Sequence, residues 1–173
     1  QSSVGLSFEL PVETLESIAT ASLNLLESVR FLGGESRLYN ASSSECFGDV
    51  GDSACDEMTP FHPGSPYAVA KAAAHWQVVN YREAYDLYAT NGILFNHESP
   101  LRPNRFVSKK IIRAAVRIGN GSSERLRLGN LAIQRDFGWA PEYVDAMWRI
   151  LQLERPNDVV IATGETHSLN EFC

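Results

Sequence analysis

Several features are scarce or absent in this 173-residue sequence, and each absence excludes a class of protein. No apolar run approaches the roughly 20 residues that a membrane-spanning helix needs, and no charged and then apolar leader stands at the N-terminus. These two absences favour a soluble cytoplasmic protein. The three cysteines, an odd number without metal-ligand spacing, indicate reduced thiols rather than a disulfide framework. They are Cys46, Cys55 and Cys173.

The charge of the chain excludes further classes. A formal net charge of −6 argues against nonspecific nucleic-acid binding, which requires many basic side chains to neutralise phosphates. The carboxylates of residues 46–63 are irregularly spaced, so a solvated acidic loop is favoured over a metal site. They belong to Asp49, Asp52, Asp56 and Glu57.

One stretch has the opposite charge. Residues 102–117 contain six basic side chains and no acidic one. Such a patch suits a small polyanion such as a nucleotide diphosphate. For Arg113 and Arg117, a solvated basic helix face is an equally good interpretation. The basic residues are Arg102, Arg105, Lys109, Lys110, Arg113 and Arg117.

Length and periodicity predict one compact α/β domain, because 44% of the residues are hydrophobic and segments of strand and helix character alternate. Residues 65–88 read as a helix, with Asn91 and Gly92 ending it. In the helix of residues 141–153 we expect Val144, Met147, Trp148 and Leu151 to face inward. The other predicted helices are residues 14–31 (closed by Gly33 and Gly34), 106–118 and 166–173, where a further helix begins at Thr166. The predicted strands are residues 37–41, 93–95, 124–128 and 158–162.

The first candidate functional group follows the strand of residues 37–41. A serine triplet and Glu45 come directly after it, so their side chains project from the carboxyl end of a buried strand. Ser43 supplies a hydroxyl that could orient a substrate alcohol, and Glu45 supplies a second acid or base.

The second candidate group begins the long helix. Ser65 and Pro66 form a helix-start signal, a serine cap followed by proline at the first helical position. Tyr67 and Lys71 then lie one turn apart on one face. An ammonium near a phenol favours the phenolate, so the pair can act as a base near neutral pH. A Tyr-x-x-x-Lys pair alone is more often a solvated helix face.

The combination is more specific than its parts. A strand, SSSE, a loop and then SPYAVAK at residues 65–71 resemble the extended short-chain dehydrogenase/reductase family of nucleotide-sugar enzymes. Within it, the chain is most similar to the GDP-mannose 4,6-dehydratase family along essentially its whole length. The segments that carry this resemblance are residues 59–67 (TPFHPGSPY), 79–85 (VNYREAY), 92–100 (GILFNHESP), 128–130 (LGN) and 135–138 (RDFG).

The resemblance implies a Rossmann-like parallel sheet in about residues 1–100, and mixed elements of the sheet and of a smaller substrate-binding lobe in about residues 101–173. It also implies that the glycine-rich first turn of the Rossmann half, which grips the cofactor pyrophosphate, should precede this segment. No Gly-x-Gly-x-x-Gly motif occurs in the sequence. We therefore expect either a central fragment of a longer chain or a degenerate relative.

The resemblance further implies a reaction and residue roles. GDP-mannose becomes GDP-4-keto-6-deoxymannose with NADP, and the catalytic residues are Ser43, Glu45, Tyr67 and Lys71. Cofactor contacts fall on Lys71, His97 and Arg102, and substrate contacts on Ser2, Asn96, Lys110 and Arg135.

The chain departs from the family pattern in two places. Ser43 stands where threonine is usual, although either hydroxyl can donate the same hydrogen bond. Residues 103–105 lack a common glycine, which leaves the role of Arg102 open.

Two alternatives remain at the level of sequence. Sugar-nucleotide epimerases and 4-reductases use the same Tyr/Lys pair but do not need a carboxylate at Glu45. A non-catalytic binding module that lost its cofactor half is the more distant alternative. The family implies a homo-oligomer, dimeric or tetrameric, for the full-length protein.

Overall fold

The computed structural model describes residues 2–33, 36–51 and 53–173, so the predicted roles of Gly34 and Asp52 fall outside the described residues. These residues form two compact units: the first extends to Phe95 and includes Val144–Ile161, and the second comprises Asn96–Tyr143 and Ala162–Cys173. Helices and strands alternate in both, which confirms the α/β class. Across these described ranges, no helix has the length and apolar character that spanning a membrane requires.

The elements follow one another along the chain in a mixed order of helices and strands. A π-helical turn (Glu16–Thr20) continues the second helix into the third, and a 3-10 turn (Ser44–Cys46) follows the first strand. The helices are α1 (Val4–Glu9), α2 (Pro11–Leu15), α3 (Ala21–Phe31), α4 (Pro66–Tyr85), α5 (Val107–Gly119), α6 (Ala140–Ile150) and α7 (Leu169–Phe172), and the strands are β1 (Leu38–Ser43), β2 (Ala89–Leu94), β3 (Asn96–Glu98), β4 (Gln134–Trp139), β5 (Val159–Ile161) and β6 (Thr166–Ser168).

The first unit contains a parallel sheet in the order β1-β2-β5. Every residue of β2, the central strand, is buried, as is typical of a parallel sheet covered by helices. Helices α3 and α4 contribute to its main apolar cluster, in which α4 packs on β1 and β2. The buried members of this cluster are Leu26, Val78, Tyr81, Leu87 and Ala89.

Helix α4 positions the candidate site, and local signals define both of its ends. The Ser65 hydroxyl accepts a hydrogen bond from the amide of Ala68 at 3.1 Å, and Pro66 occupies the first turn, as predicted. The helix ends before Asp86, whose backbone is left-handed with φ of 53°. It therefore stops three residues earlier than the predicted Tyr88.

In the second unit, β3 is parallel to β4, and β4 is antiparallel to β6. Asp136 of β4 is buried. Its carboxylate accepts hydrogen bonds from the amides of Thr163 (2.9 Å) and Gly164 (2.9 Å), which attaches this turn to the strand.

Most of the predicted elements are present, but three predictions are wrong. Asn91 and Gly92 do not end α4; they lie inside β2, where Asn91 is held by side-chain hydrogen bonds. Residues 124–128 form no strand. The residues that precede α7 form β6, so that helix starts at Leu169 and not at Thr166.

The predicted inward face of α6 is also wrong in part. Val144 and Trp148 are 58% and 62% exposed, whereas Tyr143 and Ile150 are buried. The buried positions are seven residues apart, two helical turns, so the buried stripe is rotated by one residue from the predicted one.

Candidate active site

Three polar side chains lie on one face of α4, each separated from the next by four residues. They are Tyr67, Lys71 and His75, and the spacing of one helical turn puts them in a row. The sequence patterns identified Tyr67 and Lys71 but not His75. The row begins at the N-terminal turn of α4, next to the 3-10 turn that follows β1.

The structure brings Tyr67 and Lys71 together as predicted. The Lys71 Nζ atom lies 5.8 Å from the centre of the Tyr67 ring and donates a hydrogen bond to the carbonyl oxygen of Ala41 at 2.8 Å. Burial lowers the pKa of Lys71. The ammonium is therefore poorly solvated, and it gains from any neighbouring negative charge, which is the property that a lysine needs to stabilise a tyrosinate.

Ser43 and Glu45 also lie together, at the carboxyl end of β1. Ser43 is 8% exposed, and its hydroxyl accepts a hydrogen bond from the amide of Glu45 at 3.3 Å. Glu45 is half-buried in the 3-10 turn. The strand end thus presents a hydroxyl and a carboxylate two residues apart, as the sequence predicted.

Cys46 connects the turn that bears Glu45 to the first turn of α4, which bears Tyr67. Its sulfur lies 3.9 Å from the carbonyl oxygen of Ala68 on α4, so the residue after Glu45 touches the residue after Tyr67. Burial raises the pKa of the Cys46 thiol, which disfavours a reactive thiolate. The role of Cys46 is to attach the Glu45 turn to the first turn of α4, and the sequence pattern gave no sign of it.

A polar network beneath the site was not predicted. Asp158, just before β5, accepts two hydrogen bonds from Arg82 of α4, both at 2.8 Å. It also accepts hydrogen bonds from the backbone and side-chain amides of Asn91, at 3.1 and 2.9 Å. Asn91 in turn accepts a hydrogen bond from Asn40 of β1 at 2.7 Å. Burial opposes ionisation of Asp158, but Arg82 and Asn91 outweigh it and lower the pKa.

Ser42, His75 and Asp158 form a row that resembles a hydrolytic triad. His75 Nδ1 lies 3.2 Å from the Ser42 hydroxyl, and Nε2 lies 3.8 Å from the Asp158 carboxylate. Ser42 is only 3% exposed, so no substrate carbonyl can reach its hydroxyl. The row is therefore a structural linkage between α4, β1 and β5.

The predicted cofactor contacts His97 and Arg102 lie in the second unit. The His97 ring stacks on Tyr143, with centroids 4.8 Å apart. The Arg102 guanidinium forms an ion pair with Glu98 at 3.1 Å and lies 3.7 Å from the centre of the Phe106 ring. Asn96, a predicted substrate contact, begins β3 one residue before His97.

The other predicted substrate contacts are exposed. Lys110 on α5 donates to the carbonyl oxygen of Arg127 at 2.7 Å, beside a cavity of about 250 Å³ that Arg117, Arg125 and Arg127 also line. Arg117 is paired with Glu124 at 2.8 Å, which supports the solvated-face interpretation for that residue. Ser2 and Arg135 are both exposed.

Known proteins resemble this chain along its whole length. A sequence model of the family described as GDP-mannose 4,6 dehydratase matches residues 1–173. GDP-mannose 4,6 dehydratase 1 of Arabidopsis thaliana is 53% identical over 176 residues, covering 99% of this chain and 48% of that protein. The GDP-mannose 4,6 dehydratase of Homo sapiens is 49% identical over 174 residues, covering 99% and 47%.

Solved structures agree with this fold. RMD from Pseudomonas aeruginosa complexed with NADPH aligns with a TM-score of 0.93 at 26% identity, covering 99% of this chain and 60% of that one. A Thermus thermophilus UDP-glucose 4-epimerase complex with NAD aligns with a TM-score of 0.86 at 27% identity, covering 99% and 57%. The chain spans about half the length of the curated relatives that it matches. Because the family match extends over every residue of the sequence, the chain belongs to the GDP-mannose 4,6-dehydratase family.

Proposed function

We propose that the full-length protein converts GDP-mannose to GDP-4-keto-6-deoxymannose and water. The observation that carries the proposal is the arrangement of Tyr67 and Lys71 on one face of α4, attached through Cys46 to the turn that bears Glu45. The substrate is inferred from the relatives that are named GDP-mannose 4,6-dehydratases.

In this proposal, Lys71, His97 and Arg102 are the residues of this chain that would contact a nicotinamide cofactor. Lys71 offers a half-buried ammonium, and His97 and Arg102 would add an imidazole ring and a guanidinium. The structural relatives that support this cofactor are complexes with NADPH or NAD, and we propose NADP. When bound, the cofactor would supply a reversible hydride acceptor, so that the reaction as a whole would involve no net redox change.

Tyr67 acts as the base at carbon 4. Its phenolate takes the proton of the 4-hydroxyl as that carbon is oxidised to a ketone. Lys71 favours the phenolate because a poorly solvated ammonium gains most from a nearby negative charge. The Ala41 carbonyl holds the ammonium in place, which limits the reorganisation that proton transfer requires.

Glu45 and Ser43 act on the rest of the sugar. The new ketone acidifies carbon 5. Glu45 removes the proton there and passes it to the hydroxyl of carbon 6, which leaves as water, and carbon 5 takes up a proton from solvent when carbon 6 is reduced. Ser43 donates its hydroxyl proton to the oxygen on carbon 4 and orients it. Ser2, Asn96, Lys110 and Arg135 bind the sugar nucleotide in this proposal.

A 4-epimerase or 4-reductase is the second candidate, because such enzymes share the Tyr/Lys pair and the structural relatives include 4-epimerases. The half-buried Glu45 beside Ser43 favours the dehydratase. Only elimination of water across carbons 5 and 6 needs a further base at that position.

The test is product analysis with the full-length protein, GDP-mannose and NADP. We expect a 4-keto-6-deoxy sugar nucleotide, detected by mass spectrometry. Tyr67→Phe removes only the phenol oxygen and should lower the rate about 10²- to 10⁴-fold. Tyr85→Phe, at the exposed end of the same helix, is the matched control and should keep the parental rate. Formation of an epimer, or full activity in Tyr67→Phe, would overturn the proposal.

A further inference from the structure

His75 continues the row of Tyr67 and Lys71 on α4, and no chemical step of the proposed reaction uses it. The ring is 5% exposed. Its Nδ1 atom lies 3.2 Å from the hydroxyl of Ser42, which is the residue after Ala41, the acceptor for Lys71. Two consecutive residues of β1 are therefore attached to two consecutive turns of α4.

The rest of the ring is held from other directions. Nε2 lies 3.8 Å from Asp158, which is itself fixed by Arg82. The side-chain amide of Asn91 donates to the backbone carbonyl of His75 at 3.2 Å, and Phe61 contacts the ring edge-on with centroids 4.8 Å apart. His75 therefore has little freedom to move relative to the sheet.

This arrangement matters for catalysis because it affects the orientation of α4, the helix that carries Tyr67 and Lys71. The hydrogen bond from Lys71 to Ala41 holds this face of α4 against β1 at one point, in addition to the apolar packing of the helix on the sheet. The bond from His75 to Ser42 adds a second point one turn further along. Catalytic groups misplaced by about 1 Å can lose about 10²-fold in rate, so the rotation of α4 is a quantity that the enzyme must control.

We propose that His75 is a positioning residue for the Tyr67–Lys71 pair, and that its hydrogen bond to Ser42 fixes the rotation of α4 against β1. Tyr67 and Lys71 meet the substrate, whereas His75 acts only through them. The proposal rests on the proposed function for its kinetic readout but not for its spectroscopic one.

The test compares three variants of the full-length protein. His75→Leu removes the ring nitrogens, and Ser42→Ala removes the same hydrogen bond from the other side with a smaller change in volume. His75→Asn keeps a polar atom where Nδ1 stood and serves as the conservative variant. His62→Asn, at an exposed position, is the matched control.

Two readouts separate positioning from general stability. The first is the rate of cofactor reduction on mixing with GDP-mannose and NADP, measured below the melting temperature of each variant. The second is the pKa of Lys71, followed by NMR of protein labelled with ¹⁵N-lysine and assigned with Lys71→Arg. This pKa reports how closely the end of β1 shields the ammonium.

We expect His75→Leu and Ser42→Ala to lower the rate about tenfold or more, with the KM for GDP-mannose little changed. In both variants the pKa of Lys71 should rise toward its ordinary value, because water gains access to the ammonium. His75→Asn should recover most of the rate and leave the Lys71 pKa near the parental value.

A lower melting temperature with the parental rate and the parental Lys71 pKa in all three variants would overturn the proposal and make His75 a stability residue alone. If the parent protein itself does not reduce the cofactor with GDP-mannose, the proposed function fails. The Lys71 pKa then decides the positioning role by itself, because that measurement needs no substrate.

Discussion

Lys71 donates a hydrogen bond from Nζ to the carbonyl oxygen of Ala41 at 2.8 Å, two residues before Ser43 on the same strand. This bond attaches α4, which bears Tyr67 and Lys71, to β1, which ends at Ser43 and leads into the turn that bears Glu45. The candidate catalytic groups are therefore positioned by the packing of α4 on β1, and changes that disturb this packing should act on activity and stability together.

A substitution at Gly92 of β2 tests how closely β1 and β2 are packed. Its Cα faces the ring of Tyr39 on the paired strand β1, and an added Cβ would overlap that ring. We expect Gly92→Ala to lower the free energy of unfolding by about 1–3 kcal/mol, measured by urea denaturation of the full-length protein.

The control for this substitution is Gly119→Ala at the end of α5, where a Cβ meets open space. That change should be neutral or slightly stabilising. Gly92→Ala combined with Tyr39→Val should be more stable than the sum of the two single changes, because the second removes the overlap. Strict additivity would show that the Tyr39 ring is not the obstacle.

Asp158 holds together the polar network under the site. Its partner Arg82 is 18% exposed and Asp158 is 17% exposed, so Asp158→Asn leaves a largely buried guanidinium without its counter-charge. The expected loss is about 3 kcal/mol in the free energy of unfolding. Asp145→Asn, which breaks an ion pair whose side chains are 73% and 56% exposed, should cost less than about 1 kcal/mol. Equal losses in the two variants would contradict the structural role of the network.

From the burial of His75 we expect a specific pH dependence of the free energy of unfolding. Burial lowers its pKa from 6.5, with Asp158 opposing the change and Arg82 adding to it. The unfolded chain therefore binds more protons than the folded chain below about pH 6.5, so the stability that the neutral ring provides is lost as the pH falls through the folded-state pKa.

The measurement is urea denaturation of the parent and of His75→Asn at about pH 7.5 and about pH 5.5. The stability advantage of the parent should be smaller at the lower pH. His62→Asn provides the control with an exposed ring. An advantage that grows on acidification would mean that His75 is stabilised in its charged form.

The sequence alone was sufficient to predict the structure where signals within one short segment determine it. The Ser65 cap, Pro66 and the four-residue spacing of Tyr67 and Lys71 are all properties of one short segment, and the structure shows each as predicted. The strand end with Ser43 and Glu45 was recognisable because a buried strand followed by short polar residues has few alternatives.

The sequence alone did not predict the structure correctly where residues far apart in the chain determine it. Asn91 and Gly92 have the composition of a turn, but Asn91 is satisfied inside β2 by Asp158, 67 residues away, and Gly92 accommodates a ring from the neighbouring strand. Neither partner is visible in the local pattern. His75 was missed for the same reason, since its partners Ser42 and Asp158 are 33 and 83 residues away and belong to two different segments of the chain.

Lys110 provides a test of substrate binding. If it contacts the diphosphate or nucleoside, Lys110→Ala in the full-length protein should raise the KM for GDP-mannose more than it lowers kcat, since such a contact serves ground and transition states alike. Lys109→Ala is the neighbouring control, because that ammonium binds the carbonyl oxygen of Pro100 on another face of α5. Unchanged kinetics in Lys110→Ala would show that Lys110 is a solvated surface residue that does not contact the substrate.

The most direct test of the account concerns Glu45, the carboxylate that separates a dehydratase from its relatives. Glu45→Gln keeps the size of the side chain and its hydrogen-bonding capacity but cannot accept a proton. In the full-length protein with GDP-mannose, this variant should still develop the absorbance of reduced cofactor. It should form the 4-keto-6-deoxy sugar about 10²- to 10⁴-fold more slowly and incorporate almost no solvent deuterium at carbon 5. Product formation at the parental rate would show that Glu45 is not the base and would contradict the proposed reaction.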